Sequence, residues 1–255
     1  LERKIFEGKE EEYSKLIKLH YKKQEIYKMM KVLNNKFTYV IEFTGTPRTG
    51  KTTLINNLYD FFKKGKFNTK VLEEFTTSQR YKKEIYPRLK IEYKNVVKSE
   101  IPRYILNNLS DTIDKNYDVI IIDRSLFDRM IWMDRLYSKN GVSKEEYYIN
   151  EYVPIIRNKI DIVIGTYTDS LTSLRRDYTA NVALEKRSFL SEDNVNEYNN
   201  SLLNMKMLTE KENINFYMFD TTNKSEREIS FEVVDTILNN MRTYSINKLN
   251  EEFNK

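Results

Sequence analysis

The chain has 255 residues, 32% of them charged, with a net charge of +5, six glycines, four prolines and no cysteine. Glycine and proline this scarce exclude collagen-like and Pro/Gly-rich disordered chains. The missing cysteine excludes disulfides, thiolate zinc sites and a cysteine nucleophile, and the single histidine, His20, argues against a histidine triad.

Zero cysteine fits a reducing, cytoplasmic setting. No stretch reads as a signal peptide, and the longest aliphatic run, 119–122, is far too short to span a bilayer. Residues 1–36 hold ten Lys/Arg against six Asp/Glu, so nearly all of the positive excess belongs to this arm. That distribution is no broad nucleic-acid footprint, although a nucleic-acid partner is not excluded by it.

In the arm, Tyr13, Leu16, Ile17, Ile26, Tyr27, Met30 and Leu33 recur at helical spacing. Such a helix is available to a second copy or a partner protein. The β-branched and aromatic run 37–44 predicts a strand, 51–63 a helix stopped at Gly65, and 69–75 a second strand. Residues 79–116 read as helical, interrupted near Pro87 and Pro102. A buried strand is expected at 118–123, then a helix over 125–137 with Ser125 as N-cap and Asp128 at N3. Asn140 and Gly141 suggest a turn, and Ser143 with Glu146 a capping box. Next come a strand at 160–167, a charged segment at 171–190, a helix at 191–212, a strand at 214–219 and a helix at 225–243. Strands alternating with helices imply an α/β protein with a parallel sheet covered on both faces. Gly165, inside a strand, implies close approach by a ligand or another backbone.

Gly45-Thr46-Pro47-Arg48-Thr49-Gly50-Lys51-Thr52 matches the phosphate-loop pattern G-x-x-x-x-G-K-[ST], with a predicted strand before it and a predicted helix after it. Phosphate oxygens need several donors at once, and the loop amides and helix N-terminus supply them. Lys51 is expected on the β- and γ-phosphates and Thr52 on Mg²⁺. The hydrophobic run 119–122 ends in Asp123, a carboxylate expected at the carboxyl edge of the sheet, where it would hold the same metal. Arg124 follows and is suited to paired hydrogen bonds with an acceptor or its phosphate.

These residues resemble the thymidylate kinase and deoxynucleoside kinase group of P-loop kinases. Arg48-Thr49-Gly50-Lys51-Thr52-Thr53 is similar to the arginine-bearing phosphate loop of some thymidylate kinases, and Asp123-Arg124-Ser125 to the Asp-Arg-Ser of deoxynucleoside kinases. The stretch from Leu174-Arg175-Arg176 to Arg187 resembles the arginine-bearing lid, and Asp220-Thr221-Thr222 the segment that approaches adenine. The resemblance implies a P-loop NTPase three-layer sandwich with a five-stranded sheet in order 2-3-1-4-5 and a helical lid at about 171–195. It also implies ATP with Mg²⁺ as donor and phosphoryl transfer to a nucleoside or nucleoside monophosphate. Arg175, Arg176 or Arg187 would close on the γ-phosphate. Residues 37–255 form the expected kinase domain. Residues 1–36 are a helical extension with no counterpart in the family core.

Two features leave the acceptor open. The family places proline after the acid that follows strand two, whereas this chain reads Glu73-Glu74-Phe75-Thr76-Thr77. A sugar hydroxyl needs a general base, for which Glu74 is best placed and Glu73 second, their side chains pointing oppositely if the strand continues. A phosphate acceptor needs cations such as Arg48 and Arg124 instead. Phe75, Tyr81, Phe127 and Trp132 stand near the expected pocket, with core packing the commoner role for such aromatics. The alternatives are a P-loop kinase acting on a nucleic-acid end, a sugar-nucleotide or a protein, and an ATPase or nucleotide-sensing module.

Overall fold

The computed structural model describes residues 10–33, 37–77, 81–88, 100–140, 151–183 and 190–254. The elements in chain order are α1 (Glu10–Val32), β1 (Tyr39–Gly45), α2 (Lys51–Lys64), β2 (Thr69–Leu72), α3 (Ile101–Ile113), β3 (Val119–Asp123), α4 (Leu126–Asn140), α5 (Val153–Lys159), β4 (Ile162–Tyr167), α6 (Ser170–Ala183), α7 (Glu192–Lys211), β5 (Phe216–Asp220) and α8 (Glu226–Phe253). A 3₁₀ turn at Phe75–Thr77 and a π turn at Tyr81–Ile85 follow β2. The expected Asn140-Gly141 turn, the Ser143/Glu146 box and Arg187 involve positions outside the described residues, as does the side chain of Tyr81.

Among the described residues five strands form one parallel sheet in order β2-β3-β1-β4-β5. This is the 2-3-1-4-5 order expected from sequence. β1 lies centrally, and every one of its residues is buried, including the polar Glu42 and Thr44. Val40 joins Ile120, Ile122, Val163 and Phe216 against α3, α4, α5 and α7. Tyr39, Ile41 and Phe43 join Val119, Ile121, Ile162 and Ile164 against α1, α2 and α8. The period-2 alternation of strands thus feeds two cores, giving three layers.

α1 is part of the second core. Ile26 is fully buried, with Leu19 and Met30 in the same cluster, each such side chain worth about 1.5–3 kcal/mol on burial. Lys23 donates through Nζ to Phe61 O at 2.9 Å, at the carboxyl end of α2, and lies 3.8 Å over the Phe61 ring. Among the described residues no helix is long and apolar enough to cross a membrane.

Several sequence expectations change. β2 stops at Leu72, so strand alternation does not govern Glu73 and Glu74. The last helix runs to Phe253 instead of ending at 243, its buried stripe continuing past Met241 through Tyr244 and Ser245. Gly165 makes room for a side chain, where a ligand or backbone was expected. A Cβ there would stand 2.6 Å from Phe216 Cε2, and that ring packs 4.7 Å from Phe127 between centroids. We expect Gly165→Ala to cost about 1–3 kcal/mol through this overlap, with Phe216→Leu in the same chain recovering part of the loss. Urea melts of the single and double variants measure both effects.

Candidate functional site

The carboxyl ends of β1 and β3 meet here, as their register pairs Phe43 with Asp123. The chain must leave β1 sharply, and Gly45 does so at φ 138°, where a Cβ would lie 2.0 Å from Thr166 O. The loop closes at Gly50 (φ 85°), the N-cap of α2, and no side chain caps that helix. Its first N–H groups are therefore left for a ligand, the arrangement that binds anions. Thr49 hydrogen-bonds Thr166 Oγ1 at 2.6 Å and donates to Thr46 O at 3.0 Å, and Thr46 donates to Asn199 Oδ1, which fixes the loop from β4 and α7.

Two cations converge on the loop. Lys51 Nζ donates to Gly45 O at 3.0 Å and Thr46 O at 2.8 Å, and Arg124 Nη2 reaches the same Gly45 O at 3.3 Å. Burial first, and Arg124 second, draw Lys51 down to about 7. Arg124 sits in the left-handed region at φ 58°, its N–H donating to Phe43 O at 2.9 Å. Its guanidinium stacks on Tyr198 and faces two carboxylates, Glu74 at 3.8 Å and Asp128 at 3.9 Å. Burial opposes its charge, but Asp128 leads the neighbours that hold it firmly protonated.

Asp128 is buried, and accepts from Thr44 Oγ1 at 2.7 Å and from Tyr198 Oη at 2.5 Å. Burial pushes it up, yet Arg124, then Arg129 and these hydroxyls keep it below its ordinary value. Asp123 goes the other way, raised by burial against the pull of Lys51, and its buried Oδ1 has no hydrogen-bond partner. Glu74, past the end of β2, turns toward Arg124 and accepts from Thr76 Oγ1 at 2.7 Å, while Glu73 is exposed.

The remaining expected residues divide. Arg176 donates to Thr221 O at 2.8 Å, Thr221 Oγ1 at 3.2 Å and Arg48 O at 3.3 Å. With Thr221, Arg48, Thr49, Gly50 and Thr53 it lines a cleft of about 190 Å³ beside the loop. Arg48 is turned to α6, its Nε donating to Asp177 Oδ1 at 2.6 Å, and Ser173 of α6 donates to Pro47 O at 2.9 Å. Arg175 is exposed on the same helix, and Thr52 is exposed in the first turn of α2. Phe75 and Phe127 are core residues, and Trp132 packs edge-on against Tyr198. Two larger hollows, of about 310 Å³ and about 1040 Å³, lie away from the loop, beside Asp161 and between α1 and α8.

Ser125 does not cap α4 as expected. Its Oγ is buried without a partner, and the helix start is capped by Glu42 of β1, which accepts from the N–H groups of Ser125 (2.7 Å), Asp128 (3.0 Å) and Phe127 (3.2 Å). Burial pushes Glu42 up to about 8 while these donors act in the opposite direction. A sequence reader has one signal for Glu42, a charge inside an otherwise apolar strand. Tyr198 and Asp177 carry no local signal at all.

The ordinary lysine value is 10.5, and folded Lys51 gives up its proton near 7. At this residue the unfolded chain therefore binds more protons between these limits, and the contribution of Lys51 to stability rises with pH across that window. We expect Lys51→Met to flatten this slope and to raise the melting temperature of the ligand-free protein near neutral pH by roughly 2–4 °C per kcal/mol gained. Calorimetry from about pH 7 to about pH 10 checks it.

A family model described as an AAA domain matches residues 40–187, more than half of the chain and including the phosphate loop, Asp123 and α6. No curated protein sequence matches. Among solved structures, deoxyadenosine kinase from M. mycoides with products dCMP and a flexible dCDP bound is 21% identical with a TM-score of 0.51, covering 78% of this chain and 98% of that one. The same enzyme with bound dCTP is 23% identical, again with a TM-score of 0.51 and the same coverage. The strand order, the loop and the matched span agree: the fold is that of the P-loop deoxynucleoside kinases, and the chain belongs to the AAA domain family of P-loop proteins.

Proposed function

We propose that the protein is an ATP- and Mg²⁺-dependent kinase that phosphorylates a nucleoside on a sugar hydroxyl. One observation carries the choice of acceptor. Glu74 stands opposite Arg124 at 3.8 Å beside the phosphate loop, so a carboxylate is at hand where a hydroxyl must lose its proton. A monophosphate acceptor would instead meet the carboxylates of Glu74, Asp123 and Asp128, while Arg48, a cation suited to it, is engaged by Asp177. The shared fold with deoxyadenosine kinase supports the same reading.

The residues suit the donor. The unpartnered buried oxygen of Asp123 and the hydroxyl of Thr52 are hard oxygen ligands, and Mg²⁺ takes few protein ligands when phosphates supply the rest. Bound Mg-ATP supplies the transferable phosphoryl group and a metal charge that offsets the developing negative charge. The amides of the loop from Arg48 to Thr53, with Lys51, would hold the donor phosphates, since Pro47 has no N–H and the Thr46 N–H is donated to Thr166 O. Arg176 and Thr221 flank the nucleobase side of the cleft. Arg124 steadies the acceptor side, and Glu74 receives the hydroxyl proton. Arg175 and Arg187 remain candidates for closing over the phosphates.

The test is incubation with Mg-ATP and a panel of nucleosides and nucleoside monophosphates. Transfer to a nucleoside is expected, and Lys51→Ala should abolish it. Glu74→Gln should lower kcat by about 10²–10⁴-fold with KM little changed. An equal loss in Glu73→Gln alone would reassign the base. Hydrolysis without any labelled acceptor would favour an ATPase, and transfer only to a polynucleotide or protein would favour another acceptor class.

A further inference from the structure

β1 is buried along its whole length, and one of its residues is a carboxylate, Glu42, fully hidden from solvent. A charge-bearing group in such a place is costly unless it is fully engaged. Glu42 is engaged by backbone alone among the contacts described above: Oε1 accepts from Ser125 N at 2.7 Å and Asp128 N at 3.0 Å, and Oε2 from Phe127 N at 3.2 Å. These amides form the corner that follows β3. Arg124 stands at that corner in a left-handed conformation, which non-glycine residues hold only where the surroundings enforce it. Asp128, whose amide Glu42 holds, is also one of the two carboxylates facing the Arg124 guanidinium.

A serine cap would have sufficed for the helix, and Ser125 is in place for one. Its hydroxyl is nevertheless unpartnered, and the cap comes from the strand that, three residues on, becomes the phosphate loop. The difference is mechanical. A local cap fixes α4 to itself, whereas Glu42 fixes the start of α4 to β1. We infer that Glu42 is a positioning residue, tying the corner that carries Arg124 to the strand that carries the phosphate loop. The inference rests on the role given to Arg124 in the proposed reaction.

Glu42→Gln keeps the shape but sets an amide N–H₂ against backbone donors. The side-chain Nε–H resonance of Arg124, assigned by its loss in Arg124→Lys, reports the corner without any substrate. In Glu42→Gln this resonance should shift and exchange with solvent at least about tenfold faster, as expected of a guanidinium released from fixed partners. Turnover should fall by about tenfold or more while the affinity for a fluorescent ATP analogue stays within about threefold, a kcat effect without a binding effect. In an Arg124→Lys background Glu42→Gln should cost little further turnover, since residues acting through one another are non-additive.

Adding Ser125→Asp to Glu42→Gln restores a helix cap locally. The melting temperature should then recover while the Arg124 resonance does not, and this double variant carries the test if Glu42→Gln alone does not fold. An unchanged Arg124 resonance, recovery of both signals, loss of ATP affinity in step with turnover, or failure of both variants to fold would each overturn the inference. If the wild type phosphorylates no nucleoside, the acceptor assignment fails on its own, and the Arg124 resonance still decides the role of Glu42.

Discussion

Lys51 and Arg124 donate to the same carbonyl oxygen, that of Gly45. Two cations so close in a dry place repel each other, and the surroundings are arranged to tolerate it. Asp128 lies against Arg124, Asp123 stands at the neighbouring strand end, and Glu74 approaches from beyond β2. Each of these acids sits on a different segment, and only the parallel pairing of β2 with β3 and β3 with β1 brings them to one edge. The sheet order is thus a condition of the electrostatics. An anion entering between the two cations would relieve the repulsion that the ligand-free protein sustains.

The loop is held from the opposite side by α6. Ser173 binds Pro47 O, Asp177 binds Arg48, and Arg176 spans from Arg48 O to Thr221 after β5. One face of one helix therefore reads three consecutive features of the site: the loop backbone, its arginine, and the segment bordering the cleft. These contacts use side chains at i, i+3 and i+4 spacing, the spacing that places them on a common face.

Contiguity explains what was legible in the sequence. The phosphate loop and the acidic end of β3 are short runs whose meaning is local, and the alternation of strands and helices gave the parallel sheet. The strand order came from the family resemblance carried by those runs. Glu42 was opaque because its donors lie 83 to 86 residues away, and a serine at the start of α4 offered a plausible local cap that the tertiary structure does not use. The engagement of Arg48 by Asp177 spans 129 residues and has no local trace. Gly165 was read as space for a ligand or backbone, since nothing in its own strand shows that Phe216 of the next strand needs the room. The left-handed backbone of Arg124 was equally hidden, because it follows from hydrogen bonds at both sides of the corner and from nothing in the residue itself.

The course of α1 has a practical consequence. Its ion pairs with α8 advance in step, Glu12 with Arg227, Lys22 with Asp235 and Glu25 with Arg242, so the two helices run in the same direction. Glu12 therefore lies beside the start of α8, whose Glu226 and Ile229 border the cleft next to the phosphate loop. Phe253, at the end of the same helix, lies at the opposite edge of the sheet. Because the chain has no cysteine, a single thiol introduced as Glu11→Cys would carry a fluorophore to the end of α1 that meets the start of α8, and one introduced as Phe253→Cys would provide a matched reference at the far end of α8.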